Sequence, residues 1–368
     1  MKNYDLFLPS YCIGNNVYRK VKDTCKEYGI KAVVIGGYRG IEAAKKKLIY
    51  ACNEAGIQIL DFVWYGGSCT YENVEVLSKN NVVKEADYIF AVGGGKAIDT
   101  SKCLGEKSKK KVFAFPTIAS NCAACTNVSI MYNNDGTFKE PYFFLHPAAH
   151  TFIDTEIIGA APKNYMWAGI GDTYSKYYES TVSARGEELE HFKALGVGFS
   201  HMCLEPLLLY GEKALKDNEE KVCTYELEQT VLTIIVTTAI VSIFLTQDHT
   251  PDYNSGLAHA VFYALTKFEE IEKYHLHGEV VSFGVLILLL CDNRTKEFEK
   301  IYEFNKRVGL PVNLEDIGIT KEQFYEVIDM IPKMPDVKHY PYAITREMLE
   351  NALYILCLLY TSPSPRDA

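Results

Sequence analysis

From Lys31 to Asp154 the chain alternates short apolar runs with segments whose apolar residues recur every three or four positions. The runs Ala32–Ile35, Ile57–Val63, Tyr88–Val92, Val112–Phe115 and Thr151–Asp154 carry little polar alternation, the pattern of strands buried on both faces. Between them, a segment ending near Gly56, another over Glu72–Lys84 and a third opening at Lys96 have helical spacing. Strands alternating with helices of this length predict a parallel sheet covered by helices. Val128–Tyr132 and Phe138–Phe144 flank Asn133-Asn-Asp-Gly136 and predict a hairpin.

Beyond Pro162 the pattern becomes helical alone. Helices are expected over Asn164–Ser180, Glu187–Cys203, Leu204–Lys216, Tyr225–Thr246, Ser255–Phe268, Gly278–Leu290, Lys296–Arg307, Lys321–Asp329 and Thr345–Leu358. The fold class is thus an α/β Rossmann-like domain over residues 1–160, then an all-α domain over 161–359, with a cleft between them. Residues 360–368, ending Thr-Ser-Pro-Ser-Pro-Arg-Asp-Ala368, resemble translated vector sequence, do not continue the last helix and are set aside.

Composition narrows the function classes. The chain is 48% hydrophobic and 23% charged, as in soluble globular proteins, and its net charge of -9 argues against a nucleic-acid partner. Two long apolar runs, Val231–Thr246 and Val280–Leu290, are broken by threonines or too short to span a bilayer, so no membrane partner is expected. The N-terminus lacks the apolar stretch of a signal peptide. Eleven cysteines without framework spacing fit free thiols in a reducing cytoplasm. Cys122-Ala-Ala-Cys125 is a lone CxxC and reads as packing or pocket lining.

Two groups of residues carry candidate chemistry. The first is strand Tyr88–Val92, then Gly93-Gly94-Gly95-Lys96, then a helix. A glycine turn between a strand and a helix puts unpaired N–H groups and the positive end of the helix dipole where a phosphate can sit. The spacing is neither that of a P-loop nor GxGxxG. The second comprises Asp172, behind Gly169 and Gly171, His259, with Ser255 as its helix cap, and His277, just before an apolar helix. One carboxylate and two imidazoles suit a catalytic divalent metal with one position open to substrate. Spacing alone favours reading each histidine as a satisfied core residue.

These motifs in this order, GGGKAIDTSK, Phe-Pro-Thr117-Ile-Ala-Ser120 and the contexts of Asp172, His259 and His277, resemble the iron-containing alcohol dehydrogenase superfamily on its glycerol dehydrogenase-like branch. The similarity runs over roughly residues 5–355. It implies a dehydroquinate synthase-like fold and a metal-dependent oxidoreductase that moves a hydride between NAD or NADP and a small alcohol or a 2-hydroxy acid and 2-oxo acid pair. It also implies Zn²⁺ or Fe²⁺ on Asp172, His259 and His277, and a homo-oligomer acting on a small molecule. Carried over onto this sequence, the cofactor lies against Gly93–Lys96, Asp99, Thr117, Ser120, Thr126, Val128 and Tyr132. His275 falls beside a ligand and reads as a partner of that ligand or as a solvated loop residue.

Two stretches depart from the glycerol dehydrogenases. Their substrate loop carries an aspartate, and here it reads Ser120-Asn121-Cys122-Ala-Ala-Cys-Thr126, closer to hydroxycarboxylate dehydrogenases. That places Asn121 and Cys122 beside the substrate. They also carry an acidic residue after an early strand, where this chain has Gly37 and, two residues on, Arg39. Loss of that acid would admit a 2′-phosphate, so NADP is expected to serve at least as well as NAD. Glycerol dehydrogenase proper and a dehydroquinate synthase-like lyase are the alternatives. The lyase needs a basic phosphate pocket, and no Lys/Arg cluster accompanies Asp172, His259 or His277.

Overall fold

A computed structural model describes residues 4–361, so most of the segment set aside above, 362–368, lies outside the described residues. Six strands form one wholly parallel sheet: β1 (Tyr11–Gly14), β2 (Lys31–Gly36), β3 (Gln58–Trp64), β4 (Tyr88–Gly93), β5 (Val112–Pro116) and β8 (His150–Asp154). Their spatial order is β1-β8-β5-β4-β2-β3. β6 (Val128–Tyr132) and β7 (Phe138–Phe143) make a separate antiparallel hairpin around the Asn-Asp-Gly turn. β1 carries no apolar run and was not expected; pairing with β8 from Tyr11↔Thr151 to Gly14↔Asp154 makes it a strand.

Burial explains the apolar runs of β2, β4, β5 and β8, whereas β3, at the edge of the sheet, is only partly buried, against the expectation for Ile57–Val63. Every residue of β4 is buried, and one face of the sheet presents Phe90, Phe113, Phe115 and Phe152 to helix Tyr38–Ala55. Phe90 and Phe115 meet edge to face at 4.9 Å, and Phe115 stacks on Phe152 at 4.8 Å. The opposite face is covered by helix Gly95–Ser108, against which helix Tyr71–Lys79 packs. The expected helix Glu72–Lys84 is two helices, because Asn80 leaves the helical conformation and caps Asn81–Glu85 through its side chain, which accepts from Val82 N–H.

Chain contacts divide the molecule into two compact units. The first holds the sheet and reaches Met166, and it also takes in Lys213–Ile243; the second comprises Trp167–Glu212 and everything from Phe244 on. The units therefore interleave along the sequence, whereas hydropathy marks a single change of texture near Pro162. Helix Tyr225–Leu245, which holds a π-helical turn at Thr233–Thr237, is long and apolar enough to cross a membrane, but 72% of its most apolar window is buried inside the protein. The last helix runs from Arg346 to Thr361, which corrects the expectation that it stops before Tyr360. Nothing before Pro363 opposes helix, and proline disfavours the α conformation only in the residue preceding it.

Candidate functional site

In the sheet unit, the chain passes from β2 outward to β3 and then back across β2 to β4. The strand order thus reverses between β2 and β4, and the carboxyl ends of these two strands are Gly36 and Gly93. In open parallel sheets such a reversal leaves a crevice for ligands. Both strands lead into helices, Tyr38–Ala55 with Gly37 as N-cap and Gly95–Ser108 with Gly94, and neither cap offers a side chain to the helix N–H groups. Two sets of unsatisfied donors therefore stand side by side at the crevice. Gly93 adopts φ +142°, open to glycine and strained for other residues, so the chain can turn directly from strand to helix.

The other expected cofactor residues gather here. Thr117 donates its N–H to Gly93 O at 3.0 Å, and the Lys96 ammonium lies 4.6 Å from the centre of the Tyr132 ring. Ser120 and Asn121 are half-buried; Asn121 accepts from Ala123 N–H and packs where a side chain on Gly95 would sit. The half-buried Cys122 heads a turn whose carbonyl accepts from the N–H groups of Cys125 and Thr126. Arg39 is exposed in the first turn of its helix and lines an open groove of about 460 Å³ with Tyr38, Glu42, Lys45 and Trp64. Tyr38 and Trp64 stack there with centroids 5.8 Å apart.

Asp99 is turned inward. It is buried, accepts from Ile130 N–H and forms an ion pair with Lys102 at 3.0 Å. Lys102 was not singled out from the sequence, yet its buried ammonium also donates to Ala123 O at 2.9 Å and Val128 O at 2.5 Å, and lies 3.4 Å from Thr126 Oγ1. One cation thus gathers both ends of the 123–128 loop, including Thr126 and Val128. Its signal was position, three residues after Asp99 on one face of a helix.

In the helical unit, Asp172, His259 and His277 offer ligand atoms that all lie within 4.8 Å of one another. His259 Nε2 is 3.5 Å and His277 Nε2 3.3 Å from the same Asp172 oxygen, Oδ1. Each comes from a different helix. Asp172 lies in Lys163–Ser183, His259 in the first turn of Leu257–Leu265 and His277 at the start of His277–Cys291. The helices of Asp172 and His277 meet backbone to backbone, since a Cβ on Gly278 would lie 2.0 Å from Ala168 O and one on Gly171 2.3 Å from Gly278 O.

Glu179, a residue the sequence reading missed, completes the arrangement. It lies seven positions after Asp172, two turns along the same face. Wholly buried, it accepts from His259 Nδ1 at 2.8 Å, His259 N–H at 3.0 Å and Gly256 N–H at 2.8 Å. The expected Ser255 cap is not made. Gly256 is the N-cap, Glu179 and the Tyr340 hydroxyl satisfy the first N–H groups, and Ser255 donates instead to Asp336. His275 bonds Glu279 at 2.8 Å, so it is neither a solvated loop residue nor a partner of the three-residue cluster.

The donors fit a divalent cation. Glu179 takes the Nδ1 proton of His259, leaving Nε2 facing Asp172, which is how outer carboxylates orient ligand histidines. Separations of 3.3 and 3.5 Å suit a centre about 2.0–2.2 Å from each donor. His277 is 43% exposed, so one side of the cluster is open. Burial opposes ionisation of Asp172, but the two imidazoles override it and hold its carboxyl far below the carboxylate range. Burial likewise opposes the charge on His259, and Glu179 and Asp172 push its pKa up to about 10.

Comparison with known proteins places this geometry in context. A family model described as iron-containing alcohol dehydrogenase matches residues 9–153. A glycerol dehydrogenase of Thermotoga maritima is 35% identical over 263 residues, 69% of each chain. Hydroxycarboxylate dehydrogenase A of Escherichia coli is 30% identical over 330 residues, 88% of each. The crystal structure of a glycerol dehydrogenase from Schizosaccharomyces pombe superposes with a TM-score of 0.84 at 22% identity, covering 97% of this chain and 91% of the other.

Proposed function

The chain belongs to the iron-containing alcohol dehydrogenase family, a metal-dependent oxidoreductase moving a hydride between NAD(P)(H) and a small alcohol or hydroxy acid, and within that class we propose a 2-hydroxy acid and 2-oxo acid pair as substrate. The observation that carries the choice is Cys122, a residue without a carboxylate in the loop fixed by Lys102. An aspartate in such a loop would repel a substrate carboxylate by about 4 kcal/mol at 4 Å and an effective dielectric of about 20. The 30% identity to a hydroxycarboxylate dehydrogenase over most of the chain supports the same reading.

When bound, a divalent cation such as Zn²⁺ or Fe²⁺ supplies a Lewis acid for the substrate oxygen, and a nicotinamide supplies or accepts the hydride. The protein's own residues do the rest. Asp172, His259 and His277 hold the cation, and Glu179 fixes the His259 tautomer. Gly93, Gly94, Gly95 and Lys96 hold the cofactor phosphates, with Thr117, Ser120, Thr126, Val128 and Tyr132 beside them. Asp99 serves the cofactor indirectly, by neutralising the buried Lys102 that shapes their loop. Asn121 and Cys122 border the substrate. The sheet unit is thus the nucleotide-binding part and the helical unit the metal-binding part.

We infer that NADP is accepted at least as well as NAD. Gly37 carries no acid to repel a 2′-phosphate, and Arg39 and Lys45 bring two cations to the neighbouring groove. A cytoplasmic homo-oligomer rests on the family resemblance alone, while the net charge of -9 and the burial of the long apolar helix support the reading without nucleic-acid or membrane partners. Steady-state kinetics with glycerol and 2-oxobutanoate, each with NAD(H) and NADP(H), test both points. Higher kcat/KM for the oxo acid, lost in Cys122→Asp, is expected. A strong wild-type preference for glycerol sinks the substrate assignment, and a strong preference for NAD(H) sinks the cofactor one.

A further inference from the structure

Beside the residues assigned to the cofactor, three sulfurs converge inside the sheet unit. Cys69, in the segment leading into helix Tyr71–Lys79, and Cys103, on helix Gly95–Ser108, each place Sγ 3.5 Å from the Sδ of Met131 on β6. Both cysteines are free, and all three residues are buried in one cluster with Val74 and Phe144. Cys103 retains 7% exposure.

We propose that Cys69, Cys103 and Met131 form a binding site for a soft monovalent cation, copper(I) or its analogue silver(I). With metal–sulfur bonds of about 2.3 Å, a trigonal set of sulfurs stands about 4 Å apart. The observed 3.5 Å separations therefore need an opening of only a few tenths of an ångström. Two thiolates and a thioether are the donors that favour copper(I), whereas zinc takes thiolate, imidazole or carboxylate in fours. Binding is M⁺ plus two thiols giving an M(SR)₂⁻ unit, with two protons released to solvent and no change in oxidation state.

The test uses the reduced full chain under anaerobic conditions. Copper(I) is presented in a chromogenic chelator tight enough to strip single surface thiols, and uptake is compared among wild type, Cys69→Ala, Met131→Leu and a Cys223→Ser control at an exposed thiol. One equivalent withstanding the chelator in wild type and control, absent in Cys69→Ala and at least tenfold weaker in Met131→Leu, is the expected result. Equal uptake by wild type and Cys69→Ala overturns the site. A silver(I)-soaked wild-type crystal tests it without any variant: the anomalous peak belongs among the three sulfurs, and a peak only at other thiols rejects the proposal.

Discussion

At the residue scale, the candidate metal cluster is governed by one carboxylate that is not a ligand. Glu179 takes the Nδ1 proton of His259 and two backbone N–H groups of the same helix start, so it orients the ring and anchors its backbone together. Glu179→Gln keeps an acceptor but removes the charge, and metal affinity should fall roughly 10- to 100-fold. Competition against a chromogenic chelator reads this directly; unchanged affinity would reduce Glu179 to a helix cap. The same pair sets a pH dependence. In the metal-free protein His259 keeps both ring protons below a pKa of about 10, and a cation at Nε2 must displace one of them. Affinity should therefore rise with pH through the neutral range, by at most about tenfold per unit. Calorimetry in buffers of different ionisation enthalpy should find close to one proton released per metal; none released contradicts the protonated state. Asp172, His259 and His277 were legible in the sequence because motif context marks them. Glu179 and Lys102 were not, since each acts through partners distant in sequence: Glu179 on Gly256 and His259, Lys102 on the 123–128 loop.

At the element scale, placement depends on how closely backbones approach. The crossing of Lys163–Ser183 and His277–Cys291 at Gly171 and Gly278 brings Asp172 next to His277, and it leaves no room for a methyl group. Gly278→Ala would put Cβ 2.0 Å from Ala168 O and 2.9 Å from Asp172 Cβ. Its expected cost is about 1–3 kcal/mol or more of stability, together with weakened metal binding, because the clash separates two ligands. Denaturant unfolding and metal titration of the same variant check both halves. In the sheet unit, Lys102→Met should cost about 3–5 kcal/mol by leaving Asp99 buried and unpaired, and should raise KM for the cofactor as the 123–128 loop relaxes. Adding Asp99→Asn should recover part of the stability but not the KM; full recovery of both would mean that the loop holds itself. Strands and long helices were readable in advance because burial on both faces of a sheet, or on one stripe of a helix, imposes a period. Boundaries and caps were not. Ser255 has the residue type of an N-cap but is drawn to Asp336, and helix Glu72–Lys84 breaks where Asn80 finds a better local bond.

At the scale of the whole molecule, the two candidate sites draw their residues from separate compact units. The three residues of the candidate metal cluster and Glu179 lie in Trp167–Glu212 or in the part of the chain from Phe244 on, while the glycine turn and the residues around it lie before Met166. Sequence texture could not show that Lys213–Ile243 packs with the sheet, because those helices have the same period as their neighbours. A ligand that binds only the native state stabilises the protein by about 2.7 kcal/mol at a hundredfold excess over its Kd. The stabilisation protects first the elements that hold the ligand, since local openings that break the site lose it. Removing the metal should therefore raise amide exchange in helices Lys163–Ser183, Leu257–Leu265 and His277–Cys291. Adding cofactor to the metal-free protein should instead slow exchange at the starts of Tyr38–Ala55 and Gly95–Ser108. In His259→Ala the first response should vanish while the second persists. If stripping the metal loosens the sheet strands instead, or if cofactor protects only the helical unit, the assignment of one site to each unit is wrong.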